Sequence, residues 1–390
     1  MKRIILLMLI VSILIVIPLS VYSQSATKTG NKDYIEWKPK YWIEKPLKFE
    51  KGAKVKGMKP GEENLYFKWK AGYPPAGPDS IIVRSTQWVM NEIFKQTKGH
   101  LIVDVHYGHT LGKTTTYPGL VGAGAFEVAN MVPLYHSEWT IGHAPAAPFF
   151  APADVYQSTQ FYHYAWTHPV FLKHTNKLNL HTFYTRENTP YYLYSTIKSE
   201  KIADFKGHLF AGQGLRNVFA EGLGMSLVEA STGKVYEMFQ RNMVQFSLYS
   251  LMGGYQNYRW YEVAKYILDY PVTASGSVVC VNKNAWDNLP HYIRNLVWKI
   301  QAEGLPATAA RFLNENEAKM RKGLIKEGVE FYSPSAEVKK GVLNAASLIL
   351  KTWLKDCENR GYGDDAKKYL IDLIAYRDKI TGKPWEGYRP

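Results

Sequence analysis

Apolar residues recur with a period of two at 101–107, where Leu101, Val103, Val105 and Tyr107 alternate with Ile102, Asp104 and His106. That period turns one side of an extended chain toward a core, so the segment predicts a strand. Strands are likewise predicted over 66–71, 126–131, 180–185, 208–211 and 277–281. Between them the apolar spacing lengthens to that of helices. One helix is predicted to start at Asp79 or Ser80, either of which can cap it, and to run to Lys98, with Gly99 as its stop. Others are predicted at 117–123 and 153–166, and four long ones at 284–303, 307–327, 336–358 and 365–379. In the third of these, Val338, Val342, Leu348, Trp353 and Leu354 recur at helical spacing. Alternating strands and helices predict parallel sheets covered on both faces, with a ligand at the carboxyl ends of the strands. The loops after Ala71, Tyr107, Met131, Thr185 and Ala211 are therefore the candidate site.

One apolar stretch does not belong to this pattern. Lys2 and Arg3 precede a run over 4–21 that is broken only by Ser12, Pro18 and Ser20, and Val21 and Ser23 stand at the −3 and −1 places before Gln24. This is the layout of a secretory signal peptide covering 1–23. The run is also long enough for an uncleaved anchor, but Pro18 and Ser23 favour cleavage. Residues 24–65 form a basic, polar extension, and Trp37, Tyr41, Trp42 and Phe49 give it a means of lying on the surface. Export would allow Cys280 and Cys357 to pair. Cys280 lies in an apolar strand-like run and Cys357 ends an amphipathic helix, so buried free thiols are expected instead.

Composition narrows the class. The 390 residues are 46% hydrophobic and 14% aromatic, which excludes disorder. The net charge of +14 raises nucleic acid as a partner, but the lysines are scattered and many lie in the extension. A solvated basic surface that attracts small anions is the simpler account. Gly108 and Gly112 with Lys113 and Thr114 look like a phosphate loop but enclose three residues where four are required. No nucleophile elbow, zinc-protease helix, paired-cysteine motif or dinucleotide fingerprint occurs. The histidine pairs His106/His109 and His163/His168 have no carboxylate at ligand spacing, so no metal or cofactor is expected. His143, in a Gly-His-Ala-Pro turn, is the base a secreted enzyme acting on a small organic acid would use. That is the alternative reading.

Several segments carry a resemblance through their order and spacing. They are 68–75, with Trp69, Gly72 and Tyr73-Pro74-Pro75; 97–105; Leu111-Gly112; 121–127; Ile202 to Gly207 with Asp204 and Lys206; 234–241, ending Gln240-Arg241; Tyr261-Glu262-Val263 with Lys265 and Tyr266; and 281–290, ending Leu289-Pro290. Over about 67–330 they resemble the substrate-binding proteins of tripartite ATP-independent periplasmic (TRAP) transporters, of the dicarboxylate-binding type. The resemblance implies an α/β fold of two lobes joined by a hinge, with long helices at the C-terminal end. Lobe one would hold 66–188 plus 278–322, and lobe two 189–277 plus 323–390. It implies a periplasmic protein that is not an enzyme, binds a small organic acid and partners the integral-membrane subunits of a permease.

The departures bear on the ligand. In the family a strand arginine forks onto the ligand carboxylate, and that place falls on Ala211. A later Asp-Gly becomes Gln245-Phe246. An alternative cation would be Arg186 or Arg216, or the backbone donors around Gln213 at a helix start. Aromatic residues crowd the candidate loops: Tyr73, Tyr135, Trp139, Tyr191, Tyr192 and Tyr249. Together they predict a bulkier or aromatic acid rather than a simple dicarboxylate.

Overall fold

The computed structural model describes residues 48–73, 81–147, 150–186, 189–212, 220–272 and 277–390. The signal peptide, most of the basic extension, Gln213 and Arg216 lie outside the described residues. Eleven strands among the described residues sort into two sheets. Sheet one has the order β2-β1-β3-β10-β4, from β1 (Phe67–Gly72), β2 (Leu101–His106), β3 (Val128–Met131), β4 (Leu180–Arg186) and β10 (Ser277–Asn282). Sheet two has the order β11-β9-β5-β8-β6-β7, from β5 (Tyr191–Ser195), β6 (Leu209–Gly212), β7 (Ser226–Glu229), β8 (Phe246–Ser250), β9 (Tyr266–Val272) and β11 (Glu330–Tyr332). In β1, buried Trp69 and Ala71 alternate with exposed Lys68 and Lys70. β10 is buried at all six positions, as an apolar run at the middle of a sheet should be.

The sheets are mixed rather than parallel. β1, β2 and β3 run together, but β10 is antiparallel to both β3 and β4. In sheet two, β6 runs with β7 and β8, whereas β5 opposes β8 and β9. The cause is that, besides the long helical path from β10 to β11, the chain makes two direct crossings between the sheets, from β4 to β5 and from β9 back to β10. Both crossings are short, so the last residues of β4 and β9 must lie near the first residues of β5 and β10. One edge of each sheet therefore faces the other. Sheet one presents the carboxyl ends of β1, β2, β3 and β4; sheet two presents those of β6, β7, β8 and β9. Strands β5, β7, β8, β9 and β11 were not predicted. β5 reads Tyr-Tyr-Leu-Tyr-Ser with four of five residues buried, so it shows no alternation.

The helices are α1 (Ile81–Gln96), α2 (Tyr117–Gly122), α3 (Val155–Thr167), α4 (Pro169–Asn176), α5 (Val235–Gln240), α6 (Lys283–Asp287), α7 (His291–Lys299), α8 (Leu305–Lys326), α9 (Ala336–Asn359) and α10 (Gly363–Thr381). The break predicted near Gly304 lies earlier, at Asn288 to Pro290. From His291 the chain stays helical to Lys326 through a wide turn at Ile300–Gly304. Pro306 falls in the first turn of α8, where no backbone N–H is needed, and the wide turn absorbs the ring.

α8 spans both lobes. Ala309 and Leu313 pack in one core with Val279 and Tyr184, and Met320 and Leu324 in another with Tyr194 and Ile267. The C-terminal helices also bridge rather than belonging to lobe two alone. Trp353 of α9 donates to the Thr140 carbonyl at 2.7 Å, and Gly341 of the same helix abuts Ile202. Tyr369 of α10 donates to the Ala165 carbonyl of α3 at 2.8 Å. At the far end of sheet one, Phe49 of the extension stacks on Tyr66 at 5.2 Å and meets His100 edge-on at 4.8 Å. Cys280 and Cys357 are buried and free.

Candidate ligand site between the two sheets

Sheet two forms a wall of rings at the facing edge. Tyr191 opens β5 opposite Ser250 of β8 and Val272 of β9. The Tyr249 ring lies 5.3 Å from that of Tyr191, 5.7 Å from Tyr258 and 5.5 Å from Trp260. The backbone at Gly253 leaves no room for a β-carbon beside the Tyr249 ring. A side chain at 253 would push that ring out of place.

Behind Tyr191 the neighbouring side chain is already committed. Tyr192 is 3% exposed and its hydroxyl donates to Glu317 of α8. Burial, reinforced by the Glu317 charge, pushes the Tyr192 phenol far up, and burial also raises the Glu317 carboxyl. Arg321, one turn along, forks onto Asp269 at 3.0 and 2.6 Å and lies 4.0 Å over the Phe331 ring. That guanidinium is spent within the protein and does not replace the missing strand arginine. Ala211 is 1% exposed, paired to Val228 and Ser247, and its carbonyl accepts from the Ser247 hydroxyl at 2.9 Å.

Gln245 is corrected by this geometry. Its backbone N–H donates to Leu209 at 2.9 Å, its Oε1 accepts from the Leu209 N–H at 3.1 Å, and its Nε2 donates to Asn242. Leu209 begins β6, so Gln245 lies at the amino end of the strands. The five residues of β8, at about 3.3 Å each, separate it from the facing edge.

Sheet one contributes more hydroxyls than rings. Tyr73 is fully buried, with its hydroxyl against Thr86 and 3.4 Å from that of Tyr184, which in turn donates to Thr86 at 2.7 Å. Trp139 is core: 1% exposed, stacked on Phe171 at 5.3 Å and donating to Thr175 at 3.0 Å. Tyr135 sits in a short 3-10 turn after β3 and is 51% exposed. Arg186 is the last residue of β4, opposite Ser277. The expectation that the rings sit on the loops after strands holds for Tyr73, Tyr135 and Trp139, whereas Tyr191, Tyr192 and Tyr249 are strand residues. His143 is turned onto the Pro133 and His136 carbonyls at 2.9 and 3.2 Å, and burial holds its ring below the usual histidine range. Among the described residues no cluster of His, Cys, Asp and Glu is arranged to hold a metal ion.

Sequence reasoning missed Asn130, Thr185 and Ser277, three buried polar residues at the strand ends that face sheet two. The signal that would have found Asn130 is a carboxamide inside the apolar run Val-Ala-Asn-Met.

The sequence model of bacterial extracellular solute-binding proteins, family 7, matches residues 76–356. No curated protein matches the chain. Among solved structures, a TRAP periplasmic solute-binding protein from Desulfovibrio salexigens superposes with a TM-score of 0.70 at 17% identity, over 82% of this chain and 98% of that one; it is an open complex with the C-terminus of a symmetry mate in its ligand site. An extracytoplasmic solute receptor of Bordetella pertussis that binds pyroglutamic acid gives 0.64 at 18% identity, over 80% and 99%. A second Desulfovibrio salexigens TRAP protein, with bound orotic acid, gives 0.67 at 16% identity, over 80% and 99%.

Proposed function

The chain belongs to family 7 of the bacterial extracellular solute-binding proteins, and from that premise we propose that it is the receptor of a TRAP-type transport system. It captures a small organic acid between its lobes in the periplasm and presents the closed form to integral-membrane permease subunits. The observation that carries this reading is the pair of facing sheet edges joined by two short crossings, with Tyr191 and Tyr249 as one wall. Strand ends of this kind are where open α/β sheets bind ligands. The proteins of like fold bind pyroglutamic and orotic acids, both ring acids. An aromatic wall suits such a body, and Arg186, Arg216 and the backbone at Gln213 are the candidates for its carboxylate.

The family is one of binding proteins, and the enzymatic alternative loses its base, because His143 spends its ring on its own turn. The test is mass spectrometry of small molecules released by denaturing freshly purified protein, followed by calorimetry with what is found. An organic acid that rebinds with one-to-one stoichiometry is the expected result. A released pool without any acid, together with no saturable binding by an organic-acid panel, overturns the reading.

A further inference from the structure

Buried polar groups without partners gather at one end of sheet one. Asn130 in β3 is fully buried, and neither its amide nitrogen nor its amide oxygen finds a hydrogen-bond partner among the described residues. The hydroxyls of Thr185 in β4 and Ser277 in β10 are buried and unpartnered as well. All three stand at or next to the strand ends that face sheet two: Met131 closes β3, Arg186 closes β4 and Ser277 opens β10.

The opposite end of the same sheet is the internal control. There Asn282 closes β10 with its side chain fully used, Nδ2 donating to Val121 at 2.8 Å and Oδ1 accepting from Ala285 at 3.0 Å. Thr182 donates to the Trp166 carbonyl at 2.6 Å. Burying an amide without partners is costly and uncommon in native proteins. The strand side chains Asn130, Thr185 and Ser277 at the facing end therefore keep donors and acceptors in reserve, where Asn282 and Thr182 spend theirs.

Register decides which of these groups act together. Asn130 lies opposite Val279, and Val279 lies opposite Tyr184. The pairing of β1 with β3 ends at Gly72 and Ala129, so Tyr73 runs on beside Asn130. Successive strand residues alternate faces. Ser277, two before Val279, thus shares the face of Asn130, while Thr185, opposite Val278, takes the other.

A carboxamide holds one acceptor and one double donor side by side. A carboxylate offers acceptors alone and would leave Oδ1 unmet; a plain aromatic ring would leave both atoms unmet. A cis amide, with its N–H and C=O on one edge, meets both. We propose that Asn130, with Ser277 beside it, selects among organic acids for those whose ring carries a cis amide, a lactam or imide edge. The ring N–H donates to Oδ1, the ring carbonyl accepts from Nδ2, and the Ser277 hydroxyl takes a second polar atom of the ring. This rests on the reading that an organic acid occupies the space between the sheets.

Calorimetry on the purified chain tests it, with pyroglutamate and orotate as cis-amide acids and cyclopentanecarboxylate and benzoate as matched acids lacking that edge. At least one cis-amide acid should bind more than about tenfold tighter than its match, the discrimination expected of a buried polar site against a ligand that leaves it unpaired. Asn130→Leu, of similar volume and without a polar atom in its side chain, should abolish that preference. Equal binding of the two classes, or a preference that survives Asn130→Leu, overturns the proposal and leaves the organic-acid reading standing. Failure of all four acids overturns the proposal, and a released pool without any acid, with no saturable binding by an organic-acid panel, overturns the reading beneath it. Asn130→Ala guards against a folding defect. It breaks no hydrogen bond of the empty protein, so it should keep the wild-type melting temperature and still lose the preference. A lowered melting temperature with the preference retained would make Asn130 structural and overturn the assignment.

Discussion

By the family resemblance, Ala211 would decide what the site can hold. A methyl group occupies the strand position where the family resemblance puts a guanidinium, and Arg321 of α8 is forked onto Asp269 of β9. A hydrogen bond to a charged partner contributes about 1.5–3 kcal/mol, or roughly 10- to 100-fold in affinity. Succinate and malate should therefore bind at least about tenfold more weakly than the acid the protein carries. Calorimetry checks this, and tight succinate binding would contradict it. Two histidines act on stability instead. Burial lowers His163 and His181 to about 4. The unfolded chain takes up these protons near pH 6.5 and the folded chain resists them, so stability is lost as pH falls from about 6.5 toward 4, by at most ~3 kcal/mol for each ring. Urea melts of the wild type and of the His163→Gln, His181→Gln double variant at pH 7 and 4.5 should show a shallower loss in the variant. Parallel losses would remove these rings from the account.

At the scale of elements, the turn after β8 sets the ring wall. The helical turn at Gly253–Asn257 brings its backbone against Tyr249, and a β-carbon at 253 would overlap that ring. Gly253→Ala should cost about 1–3 kcal/mol of stability by overpacking and weaken ligand binding, because Tyr249 must leave its contacts with Tyr191 and Trp260. Thermal melting and calorimetry on the same preparation check both effects. Unchanged affinity would remove Tyr249 from the site. Gly233→Ala is a suitable control, since a β-carbon there meets nothing closer than 4.0 Å.

For the whole molecule, the two crossings, α8 and α9 connect the parts built on the two sheets, and the proposed function requires these parts to close on a ligand. Ligand shifts an open–closed equilibrium by its differential affinity for the two forms. Small-angle scattering should therefore show a smaller radius of gyration with the released ligand than without it, and the melting temperature should rise with ligand concentration. A rise in melting temperature without compaction would mean that the protein binds without closing.

The sequence by itself determined the parts whose signal is local. The alternation at 101–107, the stop at Gly99 and the apolar run of β10 follow from side-chain period and backbone freedom: β2 and β10 each end within one residue of the prediction, and α1 ends at Gln96, two residues short of Lys98, with Gly99 at positive φ. Segment order likewise sufficed for the family, because motif spacing is a property of the chain. Tertiary structure alone decided which polar groups are used up. Gln245 and Asn130 are both carboxamides in or beside strands, yet one ties β6 to β8 and the other has no partner among the described residues. The apolar run around Asn130 marks it as buried, but the sequence does not show that its amide is left without a partner. The difference arises because the sheets are mixed: two crossings turn the ends of β3, β4 and β10 toward sheet two, and burial with register then fixes which side chains are left to meet a ligand.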